Sequence, residues 1–177
     1  MAIILSVVAG ILVITLSQTI GNQSEVVSPE EVWAYIKEQA PSKDLDPEFV
    51  YAIAWAESSL NARARSSVAR GMMQITRAAW TDVSDESYHH AWDWRTNVRV
   101  GIDYLAHCRE DLKRHGEFTY SLLAASYRYG PYYVRANDFK MSKMEEPENL
   151  IYKSIFAGHN NPIELPEINL AINEPTN

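Results

Sequence analysis

The sequence predicts a mainly α-helical domain over residues 28–159. Apolar residues recur at helical spacing in several segments of this range. Ser or Thr precedes these segments and Gly or Pro follows them, as at helix ends. No useful length of chain alternates apolar and polar residues, which argues against a sheet. At 177 residues, the chain has room for one domain with flanking segments.

Composition excludes several classes of protein. A 46% hydrophobic and 22% charged chain can build a core, so global disorder is excluded. The net charge of −7 argues against a nucleic-acid-binding protein, which needs a basic face. The acidic excess lies toward the two ends, and the middle is nearly neutral and rich in Arg. The one cysteine, Cys108, excludes an internal disulfide and a thiolate zinc cluster; we expect an inert buried thiol.

Residues 1–24 are predicted to be a signal peptide or a signal anchor. Residues 2–16 are apolar and uncharged, short for a bilayer span but suited to a secretory segment. No Lys or Arg precedes the run and no A-x-A site follows it, so cleavage and anchoring through residues 2–20 in the inner membrane both stay open. A buried core helix is disfavoured because no polar residue marks a solvent face. The expectation is export to the periplasm or cell envelope.

Two helices are predicted first. The motif Ser28-Pro29-Glu30-Glu31 has the order of a capping box with Pro at the first helical position, and Pro41 ends its helix. Asp46-Pro47-Glu48 opens the second, whose inward face comprises Phe49, Val50, Ile53 and Ala54.

Four more helices and a tail complete the prediction. Residues 71–80 form the third helix, and a long amphipathic helix runs from Thr96 or Asn97 to Gly116. Thr119 caps a short helix that ends at Gly130-Pro131, and Pro147 opens a last one closed by Gly158. Residues 160–177, rich in Asn, Pro and Glu, are predicted to be a flexible tail.

Glu57 continues the apolar face of the second helix, because it lies four residues after Ile53 and eight after Phe49. Burial and the negative end of the helix dipole both raise the pKa of a carboxyl group there. A carboxyl group that stays protonated near neutral pH is suited to general acid catalysis. The alternatives are an exposed Glu at a frayed helix end, or an ion pair with Arg63, Arg65 or Arg70.

Several ordered blocks surround this residue: Glu57-Ser58, then Gly71-Met72-Met73-Gln74, then TNVRVGIDYL, then Ser126-Tyr127 before Gly130-Pro131. Together they resemble the catalytic domain of the Slt-type lytic transglycosylases, the goose-lysozyme-like enzymes that cut peptidoglycan strands. The resemblance covers residues 28–158 and implies a lysozyme-like helical fold with a substrate groove. Ordered blocks are more specific than one short motif.

The resemblance makes Glu57 the catalytic residue. It implies substrate contacts at a further set of positions: Ser58, Ser66, Gly71, Met73, Gln74, Tyr127 and Tyr152. Met73 is equally well explained as a core residue. The chain departs from the family at Thr76 and Arg77, and also at Arg128, where the family has asparagine.

The implied reaction cleaves the MurNAc–GlcNAc bond and closes a 1,6-anhydro ring, with Glu57 as acid and then base. No cofactor or metal is implied, and neither His89-His90 nor the Asp103/His107 pair makes a three-ligand set. The partners implied are peptidoglycan glycan strands, and an envelope-spanning secretion or conjugation machine is a further candidate. We expect a monomer. Three alternatives stay open: a hydrolytic muramidase, an inactive glycan-binding or scaffold protein, and a membrane-anchored adaptor that works through residues 160–177.

Overall fold

The computed structural model describes residues 25–167, and this part of the chain is mainly helical, as predicted. Its α-helices are α1 (Pro29–Gln39), α2 (Pro47–Ser58), α3 (Arg77–Val83), α4 (Trp94–Arg114), α5 (Tyr120–Tyr129), α6 (Pro131–Ala136) and α7 (Leu150–Phe156). Two short strands, β1 (Ala69–Arg70) and β2 (Ile75–Thr76), form an antiparallel pair. Short 3-10 helices span Ala40–Lys43, Tyr88–Trp92 and Met141–Lys143.

The predicted helix starts are largely confirmed by side-chain caps. Ser28 caps α1, Asp46 accepts a hydrogen bond of 2.9 Å from Glu48 N at the start of α2, and Thr119 accepts one of 3.1 Å from Leu122 N at α5. Each cap satisfies a backbone N–H that lacks a partner within its helix. Helix α4 begins at Trp94, two residues before the predicted Thr96, and Asp93 caps it by accepting a hydrogen bond of 2.8 Å from Thr96 N.

Two predictions of secondary structure were wrong in detail. Residues 71–80 are not one helix, because positive φ angles at Gly71 (+77°) and Gln74 (+46°) turn the chain back into the β1–β2 pair. Helix α3 begins only at Arg77. The last helix starts at Leu150, where Asn149 caps two backbone N–H groups, and not at Pro147. Apolar residues in a short stretch can fill a core equally well from a turn or from a helix. Their spacing alone therefore does not distinguish the two structures.

Helix α4 lies at the centre of the core and contacts α1, α3 and α5. Its buried face includes Val98, Ile102, Leu105 and Leu112, and Cys108 is also fully buried there. Helix α7 contacts both α2 and α5. The C-terminal end of α2, which carries Glu57, is therefore held between elements distant in sequence.

The flanking segments are described only in part. The predicted leader, residues 1–24, lies outside the described residues, as do residues 168–177 of the predicted tail. Along the described part of the tail, Ile163 and Leu165 pack against the core, and Asn161 Nδ2 donates a hydrogen bond to Glu48 Oε2. Over residues 25–167, none of the helices combines the length and apolar character that crossing a bilayer requires.

Candidate active site

Glu57 lies in the last turn of α2, at the edge of a cleft. Immediately after Ser58 the chain leaves the helix through Ser59 and Leu60, which both have positive φ angles (52° and 63°). The side chain of Glu57 is half-buried, so that protein atoms surround much of it while the cleft still reaches it.

The cleft has a volume of about 480 Å³. It is lined by Glu57, Ser66, Val68, Ala69, Gln74, Ile75, Thr76, Ala79, Tyr104, Tyr127, Arg128, Tyr129 and Gly130. Among these described residues, Glu57 supplies the one carboxylate. The end of α2, the segment around the β1–β2 pair and the end of α5 thus form a groove around a single acidic group.

Tyr152 supports this carboxyl group from α7. Its buried hydroxyl donates a hydrogen bond to Glu57 Oε1. The start of α7 is itself fixed to the end of α2, because Asn149 Nδ2 donates to the Ala56 carbonyl at 3.1 Å. Asn149 therefore positions α7, and Tyr152, in the first turn of that helix, orients the Glu57 carboxyl group.

The environment raises the pKa of Glu57 above the usual value of 4.5, and burial is the main cause. The hydrogen bond from Tyr152 and the positive charge of Arg128 act in the opposite direction. The Arg128 guanidinium lies 4.8 Å from the centroid of the Tyr152 ring, within range of a cation–π contact. The charged form of Glu57 thus has two compensating partners, Tyr152 and Arg128.

Tyr127 links the two walls of the cleft. It is buried on α5, and its hydroxyl donates a hydrogen bond of 2.7 Å to the Met73 carbonyl. Burial, with the nearby Glu57 carboxylate as the next cause, raises the pKa of this hydroxyl well above 10. Tyr127 therefore stays neutral and fixes the turn before Gln74 against α5.

The opposite wall is a pair of tight turns. Ser66 Oγ accepts hydrogen bonds from Ala69 N (3.0 Å) and Val68 N (3.3 Å), which leaves its own proton available to a ligand. Gln74 Nε2 donates to the Gly71 carbonyl at 2.9 Å, so the side chain is held across its own turn.

Asn97 holds this wall in place. From the buried face of α4, its Oδ1 accepts from Met73 N at 2.7 Å, and its Nδ2 donates to the carbonyls of Arg70 (3.0 Å) and Ala91 (3.1 Å). A Cβ at Gly71 would lie 2.3 Å from both the Ala91 carbonyl and Asn97 Nδ2. Gly71 therefore provides room for this network.

The structure brings some predicted site residues to the cleft and places others behind it. Glu57, Ser66, Gln74 and Tyr127 line the cleft. The lining does not include Ser58, Gly71, Met73 or Tyr152.

Each of these four has another place in the structure. Ser58 Oγ accepts a hydrogen bond from Asn61 N at 3.1 Å, and Met73 is buried against Gly101. Gly71 faces Asn97, and Tyr152 reaches Glu57 from within the core.

Sequence reasoning gave Asn97 no role in the site, although an amide on the apolar face of α4 is a signal of a buried network. The structure also adds Tyr104 and Tyr129 to the lining of the cleft. Over residues 25–167, no three His, Cys, Asp or Glu side chains are grouped closely enough to hold a metal ion.

Comparison with known families gives one match. The family described as "Transglycosylase SLT domain" matches residues 34–151, two thirds of the chain. The matched range contains Glu57, Gln74, Asn97 and Tyr127 and stops one residue before Tyr152. No solved structure gives a significant match.

Proposed function

The chain belongs to the transglycosylase SLT domain family, whose activity is of the lytic transglycosylase type on peptidoglycan, and we propose that this protein cleaves the MurNAc–GlcNAc β-1,4 bond to leave a 1,6-anhydro-MurNAc end. The observation that carries the proposal is the lone carboxyl group of Glu57 in a groove, with a raised pKa and a tyrosine hydroxyl on one oxygen. Glycosidases that use two carboxylates place them on either side of the bond. In the described lining of this cleft, only one is present.

In the first half of the reaction, Glu57 transfers its proton to the glycosidic oxygen as the bond from that oxygen to C1 of MurNAc breaks. The positive charge that develops at C1 is stabilised by the carbonyl oxygen of the substrate's own N-acetyl group. A raised pKa favours this half, because the acid must be protonated when the substrate binds.

In the second half, the Glu57 carboxylate takes the proton from the C6 hydroxyl of the same sugar. The C6 oxygen then forms a bond to C1, which closes the anhydro ring and returns Glu57 to its protonated form. No water is consumed. The Tyr152 hydrogen bond and the Arg128 charge stabilise the carboxylate between the two halves, when it has given up its proton.

The wall residues have separate parts in this proposal. Ser66 and Gln74 offer hydrogen bonds to the acetamido group of the sugar. Tyr127, whose hydroxyl donates a hydrogen bond to the Met73 carbonyl, keeps the wall at a fixed distance from Glu57. Export to the periplasm or envelope, with residues 1–24 as the leader, would bring the domain to this substrate.

Product analysis tests the proposal. The full-length chain is incubated with purified sacculi, and the soluble muropeptides are identified by mass spectrometry. We expect 1,6-anhydro ends from the wild type and a loss of roughly 10²–10⁴-fold in rate for Glu57→Gln. Glu38→Gln, an exposed position on α1, is the matched control and should keep the wild-type rate.

Three outcomes would contradict the proposal. Reducing ends throughout the products would mean that water is the nucleophile and that the protein is a muramidase. Unchanged solubilisation by Glu57→Gln would place the activity elsewhere, and absence of cleavage by the wild type would favour a glycan-binding or scaffold role.

A further inference from the structure

A second pocket adjoins the cleft on the other side of the 66–69 turn. Its volume is about 290 Å³, and Ser66, Val68 and Ala69 line both spaces. The other lining residues are Arg65, Ser67, Arg70, Arg77, Tyr88 and Trp92. We call it the arginine pocket, after Arg65, Arg70 and Arg77.

Among the residues that the structure describes, the lining of the arginine pocket contains three positive charges and no acidic side chain. Within residues 25–167, no carboxylate lies within 4 Å of any of the three guanidinium groups, and no hydrogen bond from them is formed. Neighbouring arginines differ, because Arg63 pairs with Glu25 at 2.8 Å and Arg99 pairs with Glu86. The donors of the pocket are therefore available to a ligand.

Aromatic rings hold two of these cations in place. The guanidinium carbon of Arg70 lies 4.7 Å from the Tyr88 ring centroid and 5.4 Å from that of Trp92, and that of Arg77 lies 4.8 Å from Tyr88. The Tyr88 hydroxyl donates to the Ile75 carbonyl at 2.8 Å, which fixes the ring. Two like charges on one ring repel each other, and an anion between them would relieve that repulsion.

The guanidinium group forms paired hydrogen bonds with a carboxylate, which makes arginine the preferred residue for such ligands. If the proposed function holds, the cleft binds a glycan strand whose MurNAc units carry short peptides with several free carboxylates. A peptide that leaves the strand beside the 66–69 turn would enter the arginine pocket. We propose that the arginine pocket binds the carboxylates of this stem peptide, an inference that rests on the proposed function.

A binding experiment tests the inference without catalysis. The full-length chain is titrated by calorimetry with a synthetic stem tetrapeptide, and with the same peptide after amidation of its carboxylates. We expect the wild type to bind the peptide with free carboxylates and not the amidated one. The double variant R70Q/R77Q should bind the free peptide at least tenfold more weakly. R114Q removes a charge at the far end of α4 and should bind as the wild type does. The proposal would be overturned if the wild type bound the amidated peptide as tightly as the free one, or if R70Q/R77Q bound the free peptide as tightly as the wild type. It would also be overturned if inorganic phosphate bound with the same affinity as the peptide and displaced it.

A kinetic experiment separates this inference from the proposed function. Cleavage is compared on strands with intact stems and on strands from which an amidase has removed the stems. We expect the wild type to prefer the intact strands, and R70Q/R77Q to reduce the ratio of the two kcat/KM values about tenfold. A fall of equal size on both substrates would overturn the stem-binding proposal alone. If the wild type cleaves neither substrate, the proposed function fails, and the calorimetric result still decides whether the peptide binds.

Discussion

The hydroxyl of Tyr152 donates a hydrogen bond to Glu57 across 95 residues of sequence. A hydrogen bond to the charged form lowers the pKa of a carboxyl group, whereas burial raises it. The two effects oppose each other at Glu57, where burial is the larger. Glu57 therefore keeps its proton to a higher pH than an exposed glutamate does, and its charged form still has a stabilising partner.

Removal of this hydroxyl should change the pH dependence of activity. Tyr152→Phe keeps the ring in the core but withdraws a partner of the carboxylate, so the pKa of Glu57 rises further. Activity that requires protonated Glu57 falls as the pH passes that pKa, so the basic limb of the pH–rate profile should move to higher pH. A hydrogen bond to a charged group contributes about 1.5–3 kcal/mol, so we expect a tenfold or larger loss of kcat at neutral pH. Tyr120→Phe, remote from the cleft, is the control; a basic limb that stays in place would refute this role.

The positive charge of Arg128 should also affect the basic limb of the pH–rate profile. Arg128→Asn installs the residue that the resembled family has here and removes the cation that lowers the pKa of Glu57. The basic limb should again move to higher pH. Because Arg128 is exposed, the shift should shrink as salt is added.

Arg128→Lys keeps the charge and should retain much of the wild-type profile. The pH–rate profiles of Arg128→Asn and Arg128→Lys, recorded at low and high ionic strength, distinguish an effect of the charge from an effect of the side chain's shape. Identical profiles for the two variants would show that the charge is irrelevant.

Glu57 should lower the stability of the fold at neutral pH. Its folded-state pKa lies above the unfolded value, so the folded state binds the proton more tightly, and stability falls as the pH rises from about 4.5 through the folded-state pKa. Glu57→Gln removes that penalty and should raise Tm at pH 8, by about 2–4 °C per kcal/mol, with little gain at pH 4. Thermal unfolding at pH 4 and pH 8 checks this, with Glu38→Gln as the matched control. An equal change at the two pH values would contradict the burial argument.

Gly71 should tolerate no side chain, for a reason that Gly116 does not share. Both residues have positive φ angles, +77° and +74°. A Cβ at Gly71 would meet Asn97, whereas one at Gly116 would meet no atom of residues 25–167 within 4 Å. Backbone strain alone costs about 1–2 kcal/mol, the loss expected for Gly116→Ala. Gly71→Ala should cost more than about 3 kcal/mol, since it also displaces the Asn97 network. Urea unfolding of both variants measures the difference, and equal losses would show that the network adjusts freely.

Local signals made much of the helical structure predictable. Ser28, Asp46 and Thr119 each combine a capping side chain with an apolar stripe, and both features depend only on residues a few positions apart. The position of Glu57 on the inner face of α2 followed from the same spacing. The β1–β2 turn could not be predicted in this way, because Met72 and Met73 fill the core in a turn with the same apolar character that they would have in a helix.

The contacts that surround Glu57 could not be predicted from such local patterns. Tyr152 and Arg128 meet at Glu57 only because α7 packs against both α2 and α5. Asn97 joins the backbone of Arg70, Met73 and Ala91 for a similar reason, since the packing of α4 decides which backbone groups need a partner. The resemblance to a family gave Tyr152 a place near the substrate, whereas the structure gives it a contact with the acid itself.

The burial of Cys108 bears on how this domain can be made. Desolvation raises the pKa of its thiol to about 12, which suppresses the reactive thiolate, and the chain contains no second cysteine with which to cross-link. Its covalent structure is therefore the same under reducing and oxidising conditions. The domain can be synthesised in a reducing compartment and transferred to an oxidising one without an isomerase or an oxidant.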